Sequence, residues 1–253
     1  MFALTAALCL AAEPSRAAEP ATPQRPTFSS SPATTANRTL ELESGYFGSD
    51  ADTADLPLTL KWGSGEQTEL FLGWSPWTKA AKDVDGPGDY SVGVRHRFLE
   101  ADDGPLDLAY QLSGKIPTAT DDDGLGSGVP DVTTALTSAW AAGSWSVVGY
   151  YQLGLLGQSS GSGALVDHGL AFALGRPFGD KLSAFVEWSG TWRPELRSSD
   201  RQWIGGAAYA LRPSLVLDAA LSWVLQPGED VLAVSAGITM NLGRPFDVFR
   251  SDG

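Results

Sequence analysis

The feature that most constrains this chain is an alternation of apolar and polar residues with a period of two, which recurs from residue 38 to residue 242. In the last such segment, one face carries Leu232, Val234, Ala236, Ile238, Met240 and Leu242. Small or polar residues such as Ser235 and Asn241 take the other face. Because successive side chains of a β-strand point to opposite faces, this period predicts strands with one apolar and one polar face.

Twelve segments show this pattern, and several have ten residues or more. They span residues 38–47, 55–63, 66–75, 89–99, 105–117, 129–140, 144–156, 164–175, 181–193, 201–211, 214–225 and 231–242. A strand of about ten residues, tilted by about 45°, crosses a hydrocarbon layer of about 25 Å. The even number of segments is typical of bacterial single-chain barrels.

The connections between these segments alternate in length. Short turns fall at residues 63–65, 141–143 and 212–213, and longer polar stretches fall at 48–54, 76–88, 118–128, 157–163 and 194–200. Outer-membrane barrels have short periplasmic turns and long external loops. With a periplasmic N-terminus, both kinds of connection fall on the sides that this rule requires.

The absence of an apolar run of roughly 18 residues in the sequence rules out an ordinary membrane-spanning helix. A chain that crosses a bilayer with strands must pair its backbone groups in a closed barrel. We therefore predict an all-β fold: a closed, antiparallel, up-and-down transmembrane β-barrel of about twelve strands in a bacterial outer membrane. Alternation alone also fits a soluble barrel or sandwich, which remains the alternative.

The N-terminal region is predicted to serve export. Residues 2–12 form the apolar core of a secretory signal, and a small-x-small cleavage site follows at Ser15-Arg16-Ala17. No basic residue precedes the apolar core, and Cys9, the single cysteine, permits no disulfide framework. We assign residues 1–17 to the signal peptide, 18–37 to a flexible leader rich in Pro, Ala, Ser and Thr, 38–242 to the barrel and 243–253 to a C-terminal tail.

Aromatic residues on the apolar face are concentrated toward the strand ends. They are Tyr46, Trp62, Trp74, Phe98, Trp140, Trp145, Trp188, Trp192, Trp203 and Trp223. This distribution is typical of the girdles at the two membrane–water interfaces. The apolar face should therefore contact outer-membrane lipid and lipopolysaccharide.

Charged residues alternate with this lipid-facing set and should point into the lumen, because a charge facing lipid costs about 2–4 kcal/mol. The predicted lumen-lining residues are Glu41, Glu43, Lys61, Glu69, Arg95, Arg97, Asp107, Lys115, Asp131, Asp167, Glu187 and Asp218. These charges could pair and fill the barrel, or they could line a water-filled pore, since twelve strands enclose more space than eight. Their mixed sign favours a neutral or weakly polar solute.

Two stretches in the middle of the chain resemble a known family. Residues 88–98 read GDYSVGVRHRF and residues 112–118 read LSGKIPT, followed by an acidic, Gly-rich loop and GVPD at residues 128–131. This run resembles the outer-membrane family called "MetA-pathway of phenol degradation". The resemblance implies an outer-membrane barrel and uptake of small, often aromatic or hydrophobic compounds. It supplies no catalytic residues.

The last strand also resembles an assembly signal of outer-membrane barrels. Ser235-x-Gly237-x-x-Met240-x-Leu242 fits the pattern polar-x-Gly-x-x-apolar-x-apolar, although the chain continues to residue 253. The resemblance implies that the barrel-assembly machinery is a partner through this strand.

Catalysis and metal binding find little support in the sequence. The only histidines, His96 and His168, fall on the outward face by parity, and neither has a serine convincingly beside it, as a barrel hydrolase would need. The acidic loop clusters Asp83, Asp85 and Asp89, and 121–123, lack a complete EF-hand pattern and are interpreted as solvated loop charge. We predict no catalytic residue, metal or cofactor.

The predicted function is the passage of small molecules through the lumen. The alternative is a structural or surface-interaction barrel whose lumen is plugged, and a barrel hydrolase is a third hypothesis. A formal net charge of −13 without a basic patch excludes a nucleic-acid partner.

Overall fold

A computed structural model describes residues 19–80, 84–100, 105–119, 125–159, 163–226 and 228–245. The predicted signal peptide and most of the predicted tail lie outside these ranges. Within them, no helix is long and apolar enough to cross a membrane.

Twelve long strands form the barrel wall, and three short strands extend one of its ends. In chain order the strands are β1 Leu40–Ser49, β2 Ala54–Asp55, β3 Leu58–Gly63, β4 Thr68–Trp74, β5 Thr78–Ala80, β6 Val84–Gly86, β7 Tyr90–Leu99, β8 Leu106–Ile116, β9 Asp131–Ala142, β10 Trp145–Gly157, β11 Ala164–Phe178, β12 Leu182–Arg193, β13 Ser198–Arg212, β14 Leu215–Leu225 and β15 Val231–Gly243. A short 3-10 turn, Pro194–Leu196, follows β12. Each of the twelve predicted segments corresponds to one long strand.

The sheet is closed because its first strand pairs with its last. β1 and β15 are antiparallel neighbours, with Glu41 opposite Asn241 and Gly45 opposite Gly237. Every other long strand pairs with the strands on either side of it in sequence order once the short β2, β5 and β6 are set aside. Closure gives each wall strand two neighbours and satisfies the backbone groups that a bilayer cannot. The prediction of a closed antiparallel twelve-stranded barrel is confirmed.

The two ends of the barrel differ in their connections. Residues 64–67, 143–144, 179–181 and 213–214 connect strands at one end, which we call the turn end. Longer connections, including 50–57 and 75–89, lie at the opposite end, which we call the loop end. By the rule for outer-membrane barrels, the turn end is periplasmic and the loop end is external.

The apolar side chains of the wall lie on its outside. Leu221, Leu232 and Leu136 are 67%, 58% and 50% exposed, whereas Glu41 and Glu69 on the inner face are fully buried. A water-soluble protein buries its large apolar side chains, so this inverted arrangement requires an apolar solvent around the barrel. The outer surface and the fold place the protein in an outer membrane.

Most of the predicted interface aromatics lie on the outer surface near a strand end. Trp62, Phe98, Trp140 and Trp145 are at the turn end, and Tyr46, Trp74 and Trp192 are at the loop end. Trp188, Trp203 and Trp223 instead form a cross-strand row, and the first two lie well inside their strands.

The length of β13 accounts for the position of this tryptophan row away from the strand ends. β13 has 15 residues, and a strand of that length tilted by about 45° spans roughly 35 Å, more than the apolar layer. A position inside such a strand can therefore lie at the level of the membrane interface.

Candidate functional site

The lumen contains the chain's own N-terminal segment, residues 19–37, which we call the lumenal loop. It enters from the turn end, where Ala21 N donates to Pro213 O at 2.9 Å and Glu19 pairs with Arg244 at 3.3 Å. It turns back near residues 26–29 and leaves at the same end, where Asn37 bridges to Gly63. Both limbs of the loop thus run between the turn end and the middle of the barrel.

Four wall glutamates bind the backbone of this loop. Glu41 accepts a hydrogen bond from Thr22 N at 2.9 Å, and Glu43 accepts one from Gln24 N at 2.5 Å. Glu187 accepts from Phe28 N at 2.7 Å and from Ser29 N at 3.1 Å. Glu69 accepts from Thr35 N at 2.8 Å and from the Thr35 hydroxyl at 2.7 Å. Hydrogen bonds to carboxylates are shorter and stronger than hydrogen bonds between neutral groups.

Two wall cations balance part of this negative charge. Lys61 Nζ pairs with Glu41 and, at 3.3 Å, with Glu43, and it also donates to Thr22 O at 2.7 Å. Arg95 pairs with Glu69 at 2.9 Å and donates to Gln111 Oε1 at 2.6 Å. Burying these charges is tolerable because each is paired and hydrogen-bonded.

Arg25 of the loop occupies a niche at the seam between β1 and β15. Its guanidinium lies against Gly45 and Gly237, where a Cβ atom on either glycine would collide with it. Asp218 lies 3.6 Å from Arg25 Nε, and Ala236 O accepts from Nη2 at 3.3 Å. Both glycines are therefore required by close approach of a side chain, not by turn geometry.

The turn of the loop has one apolar anchor and one internal bridge. Phe28 meets the ring of Tyr150 edge-to-face at 5.9 Å and packs beside Ala135 and Ala171. Gln24 connects the two limbs, since its side chain donates to Ala33 O at 3.0 Å and accepts from Ser31 N at 2.7 Å. Polar contacts and a single small apolar cluster thus hold the loop against the wall.

This arrangement differs from the flexible leader expected for residues 18–37. The sequence of this segment shows no apolar periodicity, so it predicts no helix or strand in which the backbone N–H groups would find partners. In the folded chain those donors are satisfied by carboxylates on distant strands, such as Glu187, which lies 159 positions after Phe28. Local patterns carry no information on such pairs.

Two cavities flank the turn of the loop. One, of about 310 Å³, lies toward the loop end and is lined by Phe47, Gln202, Ser222 and Ser235. The other, of about 210 Å³, lies toward the turn end against Ser146, Ala173, Gly175, Ser183 and Ala208. Arg25, Pro26 and Thr27 of the loop line both cavities.

The structure buries eight of the twelve predicted lumen-lining charges on the inner face. They are Glu41, Glu43, Lys61, Glu69, Arg95, Asp167, Glu187 and Asp218. The other four lie toward the ends of the wall: Lys115 pairs with Asp131 at 2.6 Å at the loop end, while Arg97, which pairs with Glu100 at 2.8 Å, and Asp107 lie toward the turn end.

Several side chains of the lumen were not predicted from the sequence, among them Arg25, Gln24, Phe28 and Arg193. Arg25, Gln24 and Phe28 belong to the segment expected to be a leader, and the spacing of its polar residues gave no signal of their roles. Arg193, which pairs with Asp167 at 2.8 Å, escaped prediction because it is the last residue of its strand.

Both histidines lie on the outer face. His96 Nδ1 is 2.9 Å from the Thr68 hydroxyl, and His168 Nδ1 is 2.9 Å from the Tyr151 hydroxyl. His168 also stacks on Trp192 at 4.9 Å between ring centroids. These positions are on the lipid side of the wall, away from the lumen.

The acidic residues of the external loops support loop structure where they are described. Asp89 accepts hydrogen bonds from Thr118 N and Ala119 N, each at 2.8 Å, and Asp85 accepts one from Trp77 Nε1 at 3.0 Å. Asp83 and residues 121–123 lie outside the described ranges. Within those ranges, no group of three or more acidic, histidine or cysteine side chains is placed to hold a metal ion.

The fold and the lumen define the class: a twelve-stranded outer-membrane β-barrel whose interior is occupied by its own N-terminal segment. No protein-family model matches the sequence, and no curated protein matches it. Among solved structures, the NanC porin aligns with a TM-score of 0.57 at 10% identity, over 80% of this chain and 100% of that chain. The KdgM porin aligns with a TM-score of 0.56 at 8% identity, over 79% of this chain and 98% of that chain. At such identities the similarity shows the fold alone, which is that of outer-membrane porins.

Proposed function

We propose that this protein is an outer-membrane channel for small molecules and that the lumenal loop is a displaceable plug. The observation that carries the proposal is the pair of cavities whose linings share Arg25, Pro26 and Thr27 of the loop. If the loop moved toward the turn end, the two spaces would join into one passage through the barrel.

The contacts of the loop suit repeated displacement. They are mainly hydrogen bonds and ion pairs, for which water can substitute once the loop has left the lumen. Phe28 is the exception, but its apolar cluster comprises only Ala135, Tyr150 and Ala171 besides itself. A plug meant to be permanent would be expected to bury a larger apolar surface.

The wall beside the cavities leaves room for a solute. The wall residues that line the cavity toward the turn end are mostly small: Ser146, Ala173, Gly175, Ser183 and Ala208, beside Val148 and Phe185. A twelve-stranded barrel is wider than the eight-stranded type that side chains nearly fill. The space taken by the loop is therefore space that the wall does not fill.

The sequence resemblance to the phenol-degradation family adds a proposal on the solute. The resemblance implies small compounds that are often aromatic or hydrophobic. The cavity toward the loop end is lined by two aromatic side chains, Phe28 and Phe47. An aromatic ring could stack there on its way into the barrel.

The second candidate function is a permanently plugged barrel with a structural or surface role. The number of glutamate contacts to the loop favours it, because four carboxylates hold one short segment. The two functions differ in a single measurable property, which is whether the loop leaves the lumen.

A reversible lock can test this in the full chain. The hydroxyls of Ser30 and Thr137 lie 3.4 Å apart, one on the loop and one on β9. Cysteines at both positions (Ser30→Cys with Thr137→Cys) are close enough to form a disulfide that ties the loop to the wall. The two single-cysteine variants are matched controls.

Conductance in planar bilayers is then recorded before and after reduction. We expect the double variant to stay closed while its disulfide is intact and to show openings after reduction. The single variants should behave as the wild type under both conditions. If the wild type and the reduced variant show no channel at any voltage, although both resist SDS until boiled, the channel function is wrong.

A further inference from the structure

The lumenal loop shows what chemistry the inner wall binds. It places one guanidinium and a series of N–H donors against wall carboxylates, and all of these groups leave the lumen when the loop does. An inference about the selectivity of the open lumen rests on the proposed channel function. Once the loop has left, that selectivity is set by the wall charges that have lost their loop partners.

Part of the wall charge is paired within the wall. Arg95 pairs with Glu69 at 2.9 Å, and Arg193 pairs with Asp167 at 2.8 Å. These pairs do not involve the loop and would survive its departure. They contribute little net charge to the open passage.

The remaining buried charges leave an excess of carboxylates. Lys61 is shared by two glutamates, Glu41 and Glu43. With the two pairs above set aside, the buried charges of the described wall residues are one cation, Lys61, and four carboxylates: Glu41, Glu43, Glu187 and Asp218.

Glu187 and Asp218 depend on the loop most directly. Glu187, which is fully buried, accepts hydrogen bonds from Phe28 N, Ser29 N and the Ser29 hydroxyl. Asp218 is 5% exposed and neither of its oxygens accepts a hydrogen bond from the described residues; Arg25 supplies its ion pair. Without the loop, both carboxylates would face the passage without these partners.

We propose that the open lumen selects small cationic solutes with several hydrogen-bond donors, such as organic ammonium or guanidinium compounds. A narrow passage with low-dielectric walls concentrates the field of its fixed charges, so excess carboxylates attract cations and repel anions. The proposal departs from the neutral solute predicted from sequence and from the hydrophobic compounds that the family resemblance implies. The prediction of a neutral solute rested on the mixed sign of the lumen charges, whereas in the structure the buried carboxylates outnumber the buried cations among the described residues.

The test is the reversal potential of single openings of the full chain in a KCl gradient. We expect potassium to permeate better than chloride, because rings of carboxylates select cations. The double variant Glu187→Gln with Asp218→Asn should lower the ratio of potassium to chloride permeability toward one. Glu195→Gln, in the exposed turn after β12, makes a charge change of the same kind outside the barrel and should leave the ratio unchanged.

A second measurement uses organic solutes in the same openings. Arginine should carry measurable current and glutamate should not, when each replaces the inorganic ion of its sign. Openings that prefer chloride, or that show no preference, would overturn the cation proposal while leaving the channel intact. A wild type that never conducts would instead overturn the proposed function, and the selectivity proposal with it.

Discussion

Removal of two backbone donors from the lumenal loop should open the channel without changing any charge. Thr22 and Thr35 lie on the two limbs of the loop, and each donates its N–H and its hydroxyl to a wall glutamate. Proline has no N–H, so Thr22→Pro with Thr35→Pro deletes both kinds of bond. Alanine at the same two positions deletes the hydroxyl bonds alone and is the matched control.

The size of the effect can be worked out from the bonds lost. A hydrogen bond to a charged group contributes about 1.5–3 kcal/mol, and water in the lumen will solvate the freed carboxylates, which favours the lower value. Two such bonds give about 3 kcal/mol between the proline and alanine variants. The ratio of closed to open channels should therefore fall roughly 100-fold in the proline variant relative to the alanine variant.

Open probability in planar bilayers, at fixed voltage and salt, measures this ratio. Resistance to SDS until boiling shows that each variant has a folded barrel. Equal open probabilities for the proline and alanine variants, in barrels that pass this check, would refute the claim that the glutamate–amide bonds keep the lumen closed.

Three further perturbations test other parts of the structure. Lys61→Met should leave two buried glutamates without their cation and destabilise the barrel by about 3–5 kcal/mol, seen as a lower denaturant midpoint; a loss below about 1 kcal/mol would contradict the pairing. Leu221→Arg, on the lipid face, should cost about 2–4 kcal/mol of stability in vesicles, whereas Leu196→Arg, in the external turn, should cost almost nothing, and equal costs would argue against the membrane orientation. Arg25→Ala should raise the open probability, because it leaves Asp218 without its cation in the closed state. Adding Asp218→Asn should reverse part of that rise, because a neutral asparagine needs no cation. Additive effects in this double-mutant cycle would show that the two residues are not coupled.

The wall of the barrel could be predicted from sequence because its determinants are local. The alternation from Leu232 to Leu242 sets the outer face of β15, and the same period sets the inner position of Glu187 and Asp218 on other strands. Turn lengths then fix the order and direction of neighbours. Each of these signals is contained within one strand or one connection.

The contents of the lumen could not be predicted in the same way. Arg25 is recognised by Gly45, Asp218 and Gly237, which come from three different strands of the wall. In the sequence each of these residues has a sufficient local explanation as a strand position. Only closure of the sheet brings them around one guanidinium.

The niche of Arg25 also has a consequence for how a newly made molecule matures. Gly45 belongs to the first strand and Gly237 to the last, and the two face each other only where these strands join. Until β1 pairs with β15, the two glycines of the niche are not next to each other. The lumenal loop can therefore make its full set of Arg25 contacts only after β1 and β15 have paired.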